Sequence, residues 1–126
     1  MQWGADSPDE IEGILSRLEQ ENYLNEQRFA NAFANDKMRF QGWGRLKIRA
    51  ALLQKHVSNN HINEALLQID ETTYRKQLTR LANKKAHELR AEKNERTRRQ
   101  KVLRFLASRG FTMDEICAVL PSFSDV

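Results

Sequence analysis

One segment of the chain, KIRAALLQKHVSNNHINEAL at 47–66, recurs 54 residues later as KVLRFLASRGFTMDEICAVL at 101–120. In both copies the apolar residues follow the three- and four-residue spacing of a helix with one buried stripe. The matching apolar pairs are Ile48 and Val102, Leu52 and Leu106, Val57 and Phe111, Ile62 and Ile116, and Leu66 and Leu120. Each copy therefore predicts two helices and the turn that joins them.

Helix-end residues mark the turn in each copy. Gly110 stands where a glycine in the left-handed conformation would end the first helix, and His56 takes the equivalent place in the other copy. Thr112 and Glu115 have the spacing of a capping box at the start of the next helix, and Ser58 repeats the cap without the glutamate. These signals place the helix ends independently of the apolar periodicity.

The capping signal occurs once more near the start of the chain. Ser7 and Glu10 can form a capping box, and an apolar stripe with helical spacing follows. The stripe consists of Ile11, Ile14, Leu15 and Leu18. This segment resembles the last helix of each later copy, so a third, partial repeat is expected here.

The repeats divide the chain into units of three helices. We interpret 1–22 as the remnant of a first unit that keeps only its last helix, 23–70 as the second unit and 71–126 as the third. Such units cannot bury their apolar stripes alone, so they are expected to stack. The predicted fold is all-α: tandem three-helix repeats in a short curved solenoid, with about seven helices and no sheet. We expect the other helices of the first unit to belong to a longer protein.

The composition of the 126-residue chain excludes several protein classes. Two prolines and five glycines are too few for an all-β chain, which needs a turn every ~10 residues. A single cysteine, Cys117, excludes an internal disulfide framework and a cysteine-rich zinc site. No apolar run approaches the ~18 residues that span a bilayer, and we expect no signal peptide. We expect a cytoplasmic helical protein that does not contact a membrane.

No group of residues in the sequence indicates catalysis. His56, His61 and His87 do not share a helix face with carboxylates, so no metal site is expected. Gly42-Trp43-Gly44 lacks the strand and the third glycine of a dinucleotide-binding loop, and it predicts a tight turn. Neither a serine-nucleophile turn nor a plausible pair of carboxylates is present. The sequence therefore predicts no enzyme, no catalytic residue, no metal and no cofactor.

Charge is distributed unevenly along the chain, although the net charge is only +4. Residues 1–36 carry eight acidic and two basic residues. Residues 75–109 carry three acidic and thirteen basic residues, a net charge of +10. Such a block indicates a polyanion or an acidic protein surface as partner. The alternative is a solvated helix face that binds nothing.

A set of motifs follows a fixed order along the chain. They are Tyr23-Leu24-Asn25 before Arg28-Phe29-Ala30, Gly42-Trp43-Gly44 before a helix that carries Ile48 and Leu52, and Arg109-Gly110-Phe111 before the last helix. In order and spacing these motifs resemble the RecX family of recombination regulators, over about residues 5–120. The chain departs from the family pattern at His56, where many members have glycine.

The resemblance implies a non-enzymatic regulator of the RecA recombinase, with a place in DNA recombination, DNA repair and the SOS response. It implies binding to RecA and to its filament on single-stranded DNA, which limits filament growth, ATP hydrolysis and strand exchange. The implied partners are the RecA filament and single- or double-stranded DNA, with no membrane and no small-molecule substrate. The motifs also imply structural roles. Tyr23 and Leu24 would form a turn that staples one helix to the next, and Phe29 and Phe33 would lie in the core.

Basic residues are the candidate contacts with the partner or with DNA. They are Lys47, Lys76, Arg80, Lys84, Arg98, Arg99, Lys101 and Arg104. Their helical spacing predicts one basic face on each of two successive helices. Guanidinium groups suit two-point contacts with phosphate or carboxylate, whereas lysine acts as a point charge. Whether this basic stripe contacts RecA or DNA stays open, as does a contact or packing role for Trp43.

A stand-alone helical module that binds nucleic acid is the alternative function. The basic block favours it, but few aromatic residues are interleaved with the basic ones to stack on bases. The last helix, at 112–120, is acidic or apolar and is a poor candidate for reading base edges.

Overall fold

The computed structural model describes residues 8–120, and this part of the chain contains six α-helices and no strand. The helices are α1 (Pro8–Gln41), α2 (Arg45–Gln54), α3 (Asn59–Leu67), α4 (Glu71–Glu88), α5 (Glu95–Ser108) and α6 (Met113–Val119). Helices α1, α2 and α3 pack on one another, and α4, α5 and α6 do the same. The predicted all-α fold of tandem three-helix units is confirmed.

The apolar pairs of the repeat form the core of the two units. All ten of these residues, from Ile48 and Val102 to Leu66 and Leu120, are buried. Helix α1 adds Ala30, Ala34 and Met38, which are also buried. Because the two alanines are small, the α1 backbone can approach α3 closely, and these two helices share the most extensive contact in the described chain.

The predicted helix ends are present in both units. Gly110 and His56 both have positive φ angles, of 100° and 64°, so histidine adopts the left-handed conformation that glycine adopts in the other copy. Thr112 and Glu115 form both hydrogen bonds of the capping box at the start of α6. The hydroxyl of Ser58 accepts a bond from a backbone N–H in the first turn of α3. The capping role predicted for Ser7 lies outside the described residues.

Two glycines form the closest approach between the units. The backbone N–H of Gly44 donates to the carbonyl of Arg109 at 2.7 Å, and that of Leu46 donates to the carbonyl of Gly110 at 3.0 Å. A Cβ atom at Gly44 would collide with the Gly110 backbone, and one at Gly110 would collide with Lys47. The tight turn predicted around Gly44 therefore also joins the second unit to the third.

A buried hydroxyl group makes a second connection between the units. The backbone N–H of Arg45 donates to the Tyr74 hydroxyl at 3.0 Å, and this hydroxyl donates to Glu115 Oε1 at 3.0 Å. The Arg45 guanidinium lies 4.0 Å from the centre of the Tyr74 ring and 3.3 Å from Glu115 Oε2. Burial raises the pKa of the Tyr74 hydroxyl well above its ordinary value, so it remains a donor at neutral pH.

The first two predicted helices are in fact one. Helix α1 runs without a break through Tyr23 and Leu24, so the predicted turn at these residues is wrong. The segment from Ile14 to Gln41 contains neither glycine nor proline and is rich in residues that favour helix. Six helices therefore replace the expected seven in the described residues, and the boundary inferred between residues 22 and 23 lies inside α1.

The apolar stripe of the partial first unit is exposed among the described residues. Ile11, Ile14, Leu15 and Leu18 are between 47% and 53% exposed, because none of the other described helices packs on this end of α1. The prediction that Phe29 lies in the core is wrong, because its side chain is 47% exposed, whereas Ala30 and Ala34 on α1 are fully buried. Phe33 lies at the edge of the core and is partly buried.

Candidate polyanion-binding surface

The basic residues predicted on α4 lie along its outer face. Lys76, Arg80 and Lys84 are all exposed and follow one another at four-residue spacing. Lys76 and Arg80 share this exposed helix surface with Thr72, Thr79 and other α4 residues. Among the described residues, no carboxylate forms an ion pair with any of the three cations. No ion pair within the described chain therefore neutralises these three charges, although Lys76 is one of the groups that lower the pKa of the Asp70 carboxyl at the start of α4.

One side chain fixes the α4 face relative to α1. The amide nitrogen of Gln77 donates to the carbonyls of Met38 and Arg39, at 3.1 Å and 2.6 Å. The amide oxygen of Gln77 accepts a hydrogen bond from Arg80 Nε at 3.0 Å. The guanidinium of Arg80 is thereby oriented by a residue that is itself bonded to the other unit, which reduces the ordering that binding would require.

Lys101 on α5 has a different environment from the α4 cations. Its Nζ lies 3.2 Å from Glu92 Oε1 in the loop between α4 and α5. The hydrogen bond from Lys101, with a second from the backbone of Asn94, holds the pKa of the Glu92 carboxyl below its usual range. The charge of Lys101 is therefore partly compensated inside the molecule.

The other predicted cations of α5 are unequally accessible. The side chain of Arg98 is 23% exposed and lies 3.6 Å from Glu95 Oε1. One guanidinium nitrogen of Arg99 is buried without a hydrogen-bond partner in the described chain. Arg104 is exposed. Of these three, Arg104 presents its charge most openly, whereas Arg98 and Arg99 are partly packed into the fold.

Lys47, the repeat equivalent of Lys101, lies against an aromatic ring. Its Nζ is 4.8 Å from the centre of the Trp43 ring. Sequence reasoning groups Lys47 with the other cations by charge alone. The structure shows that equivalent lysines of the two units face an indole in one case and a carboxylate in the other.

One histidine is buried in a polar network that the sequence does not indicate. His61 is 4% exposed, and its Nδ1 lies 2.7 Å from Glu26 Oε1 and 2.9 Å from Ser58 Oγ. The backbone N–H of Ser58 also donates to Glu26, and these two partners lower the pKa of the Glu26 carboxyl. Both short contacts use the same ring nitrogen, so the three groups do not form a proton relay. The network ties the start of α3 to α1.

Two further observations concern a metal site and a membrane-spanning helix, neither of which the sequence predicts. In the part of the chain that the structure describes, no three potential metal ligands cluster together. None of the helices among residues 8–120 is both long and apolar enough to cross a membrane.

Two three-helix units packed against each other define a class, the proteins built from helical repeats. Two family models match the chain: "RecX, second three-helix domain" over residues 25–66 and "RecX, third three-helix domain" over residues 73–120. The two matches cover most of the chain, which belongs to the RecX family. The resemblance inferred from the ordered motifs is thus confirmed.

Individual relatives agree with this assignment. The chain is 34% identical over 121 residues to the regulatory protein RecX of Chromobacterium violaceum, and the match covers 96% of this chain and 74% of the relative. It is 36% identical over 109 residues to the regulatory protein RecX of Clostridium botulinum (strain Eklund 17B / Type B), covering 86% of this chain. The chain spans only 50% of the length of that clostridial relative.

A solved structure shares the fold. The crystal structure of RecX from Lactobacillus salivarius superposes with a TM-score of 0.75 at 21% sequence identity. The superposition covers 95% of this chain and 77% of the other chain. At this identity the likeness concerns the fold, and it agrees with the helical repeats described above.

Proposed function

We propose that this chain binds the RecA recombinase and its filament on single-stranded DNA, and that binding limits filament growth, ATP hydrolysis and strand exchange. Membership of the RecX family, whose relatives are named regulatory proteins, supports the proposal. The uncompensated cations on α4 are the observation that carries it, because they provide a surface for an acidic partner or for phosphates.

The proposed mechanism is binding without catalysis. The two units are joined through backbone bonds at Gly44 and through the Tyr74 hydroxyl, so the chain can act as one body across neighbouring filament subunits. A ligand that contacts one arrangement of these subunits better than another shifts their population toward it. We propose that the protein acts in the cytoplasm, with no cofactor, metal, membrane or small-molecule substrate.

The proposed contact residues are the eight cations named above, now ranked by accessibility. We propose that Lys76, Arg80 and Lys84 contribute most, with Arg104 and Lys47 next. Arg98, Arg99 and Lys101 are proposed to contribute less, because they are partly buried or already paired. The proposed division into units stays at 1–22, 23–70 and 71–126, with α1 shared between the first two.

The test measures the DNA-dependent ATPase of RecA while this chain is added. Inhibition is expected with the native chain. The double variant Lys76→Glu/Arg80→Glu should need about tenfold more protein for half-inhibition, because each reversal replaces an attraction of up to about 1 kcal/mol with a repulsion. A matched control, Arg17→Glu/Arg28→Glu, reverses two exposed charges on α1 and should inhibit like the native chain. Equal inhibition by all three folded proteins would reject the α4 face as the contact.

A stand-alone module that binds nucleic acid is the second candidate, and the same uncompensated charge favours it. Titration of single-stranded DNA at several salt concentrations, with and without RecA, separates the two functions. Binding that RecA does not strengthen would support the stand-alone module. Binding to the RecA filament that exceeds binding to the DNA alone would support the regulator.

A further inference from the structure

Three aromatic rings from two segments of the chain form a continuous group at the surface of the second unit. The Phe33 and Trp43 rings meet edge to face, with centroids 6.3 Å apart and an interplanar angle of 71°. The Phe29 ring follows on the other side of Phe33, at 5.9 Å. Phe33 and Trp43 are partly buried against the core, whereas Phe29 is half exposed. The core therefore holds the Phe33 and Trp43 rings in place, whereas the Phe29 ring is accessible to a ligand.

Three lysines surround these rings. The Nζ of Lys37 lies 4.8 Å from the centre of Trp43 and 5.4 Å from that of Phe33. Lys47 lies 4.8 Å from Trp43, and Lys55 lies 5.6 Å from Phe33. No ion pair with a carboxylate neutralises these lysines within the described chain, although Asp36 precedes Lys37 on α1. We call the set Phe29, Phe33, Lys37, Trp43, Lys47 and Lys55 the aromatic–lysine cluster.

The backbone holds the cluster in place. The N–H of Trp43 donates to the carbonyl of Lys37 at 3.1 Å, directly after the end of α1. The next residue, Gly44, is bonded to the third unit through Arg109. Trp43 is thus fixed between α1 and the unit junction, so its ring is positioned before any ligand binds.

The arrangement combines two features that a nucleic acid can use. Each cation–π contact contributes only about 0.5–1 kcal/mol at an exposed site, so a lysine can leave its ring at little cost. Here three uncompensated ammonium groups gather on two rings, and a third ring, that of Phe29, remains half exposed. Aromatic faces combined with a row of cations are the combination that binds single-stranded nucleic acid, because bases stack on the rings and phosphates contact the cations.

We infer that the aromatic–lysine cluster binds single-stranded nucleic acid directly, with the bases stacked on Trp43, Phe33 and Phe29 and the phosphates on the three lysines. This inference goes beyond the proposed function, because it assigns the single strand a site that does not require RecA and that consists of residues other than the α4 cations. The lysines move from the rings to the phosphates as the strand binds. A duplex, whose base faces are already stacked, binds this site more weakly.

The test follows the fluorescence of Trp43 in the full chain. The chain contains two tryptophans, so Trp3→Phe leaves Trp43 as the only one. Titration with a 20-nucleotide oligothymidylate should quench this fluorescence. A 20-nucleotide abasic strand has the same phosphates but no bases, and it should bind at least about tenfold more weakly, because each stacked base contributes about 1–3 kcal/mol. Equal affinity for the two strands would overturn the inference.

A second measurement tests the lysines without altering the rings. Lys37→Gln/Lys55→Gln should lower the salt slope of oligothymidylate binding by about 1.4, since each phosphate contact on a single strand contributes about 0.7. The matched control Arg17→Gln/Lys93→Gln removes two exposed charges outside the cluster and should leave the slope and the quenching unchanged. Binding without quenching of Trp43, or an unchanged slope in the lysine variant, would reject the site.

These results are independent of the RecA assay. Absence of oligothymidylate binding by the native chain, with inhibition of RecA intact, would reject the cluster as a nucleic-acid site and leave the proposed function standing. Normal oligothymidylate binding with no inhibition of RecA would reject the proposed function and leave the nucleic-acid site standing. Circular dichroism of each variant establishes that it is folded before either result is interpreted.

Discussion

Replacement of Tyr74 by phenylalanine removes the single hydroxyl that joins the second and third units. The ring would keep its contacts with Phe111, at 5.4 Å, and with the Arg45 guanidinium, at 4.0 Å. The variant would lose the bond from the Arg45 backbone N–H and the bond to Glu115 Oε1, each at 3.0 Å. The substitution therefore isolates two hydrogen bonds from the packing of the aromatic ring.

The size of the effect follows from the partners that remain. Glu115 keeps its hydrogen bonds from the Thr112 backbone and from Arg45, so its carboxylate still has hydrogen-bond partners. The bond to the Glu115 carboxylate is worth about 1.5–3 kcal/mol and the bond from the Arg45 backbone about 0.5–1.5 kcal/mol, so we expect a loss of at least about 2 kcal/mol. For a chain of this length, a loss of about 2 kcal/mol lowers Tm by about 6–10 °C.

The measurement is urea denaturation followed by circular dichroism at neutral pH, together with a thermal melt. Tyr23→Phe is the matched control, because it makes the same chemical change at the only other tyrosine, whose side chain is half exposed. The control should change the free energy of unfolding by less than about 0.5 kcal/mol. If Tyr74→Phe were no more destabilising than Tyr23→Phe, the Tyr74 hydroxyl would not be a structural link between the units.

Two further predictions concern the junction between the units and the polar network of Glu26, Ser58 and His61. Gly44→Ala should destabilise the chain by more than about 2 kcal/mol in the same denaturation assay, because its Cβ would collide with the Gly110 backbone. The control Gly13→Ala should not destabilise the chain, because a Cβ at this position of α1 meets no other atom. The bonds from Ser58 and His61 lower the pKa of Glu26, so its contribution to stability is complete above about pH 4.5 and is lost as the pH falls through the lower value in the folded state. Glu26→Gln should therefore lose less stability than the native chain between pH 5 and pH 3, and an equal loss would contradict this assignment.

Local signals mark both the apolar stripe and the ends of four helices, so these helices can be predicted from the sequence. They are α2, α3, α5 and α6. The left-handed residue at position 110 and the capping box that follows it are short-range features, and each is confirmed. Comparison of the two copies of the repeat identifies the same apolar stripes a second time, independently of their spacing. Burial of all the paired apolar residues shows that this internal comparison identified the core of both units.

Helix α1 shows where local reasoning fails. A motif order shared with a family suggested a turn at Tyr23 and Leu24, but the residues there favour helix and nothing in the segment interrupts it. Apolar spacing also placed Phe29 in the core. Periodicity does not reveal that α3 approaches the neighbouring alanine face instead, because that depends on how closely two helices pack.

The candidate surface was predicted only as a set of charges. Sequence reasoning located the cations on α4, yet it could not show that Lys101 is paired with Glu92 whereas Lys76 is not. It also judged the basic residues to be poor in aromatic neighbours. Lys37, Trp43 and Lys55 are spread over 19 residues of the sequence, and only the fold brings them around Phe33.

The most direct test of the proposed function is the growth rate of RecA filaments on single-stranded DNA, observed on individual molecules, with fewer copies of this chain than of RecA. Growth should slow with the native chain, slow less with Lys76→Glu/Arg80→Glu, and slow as much with Arg17→Glu/Arg28→Glu as with the native chain. Filament growth that is unaffected by saturating amounts of the folded native chain would contradict the proposal.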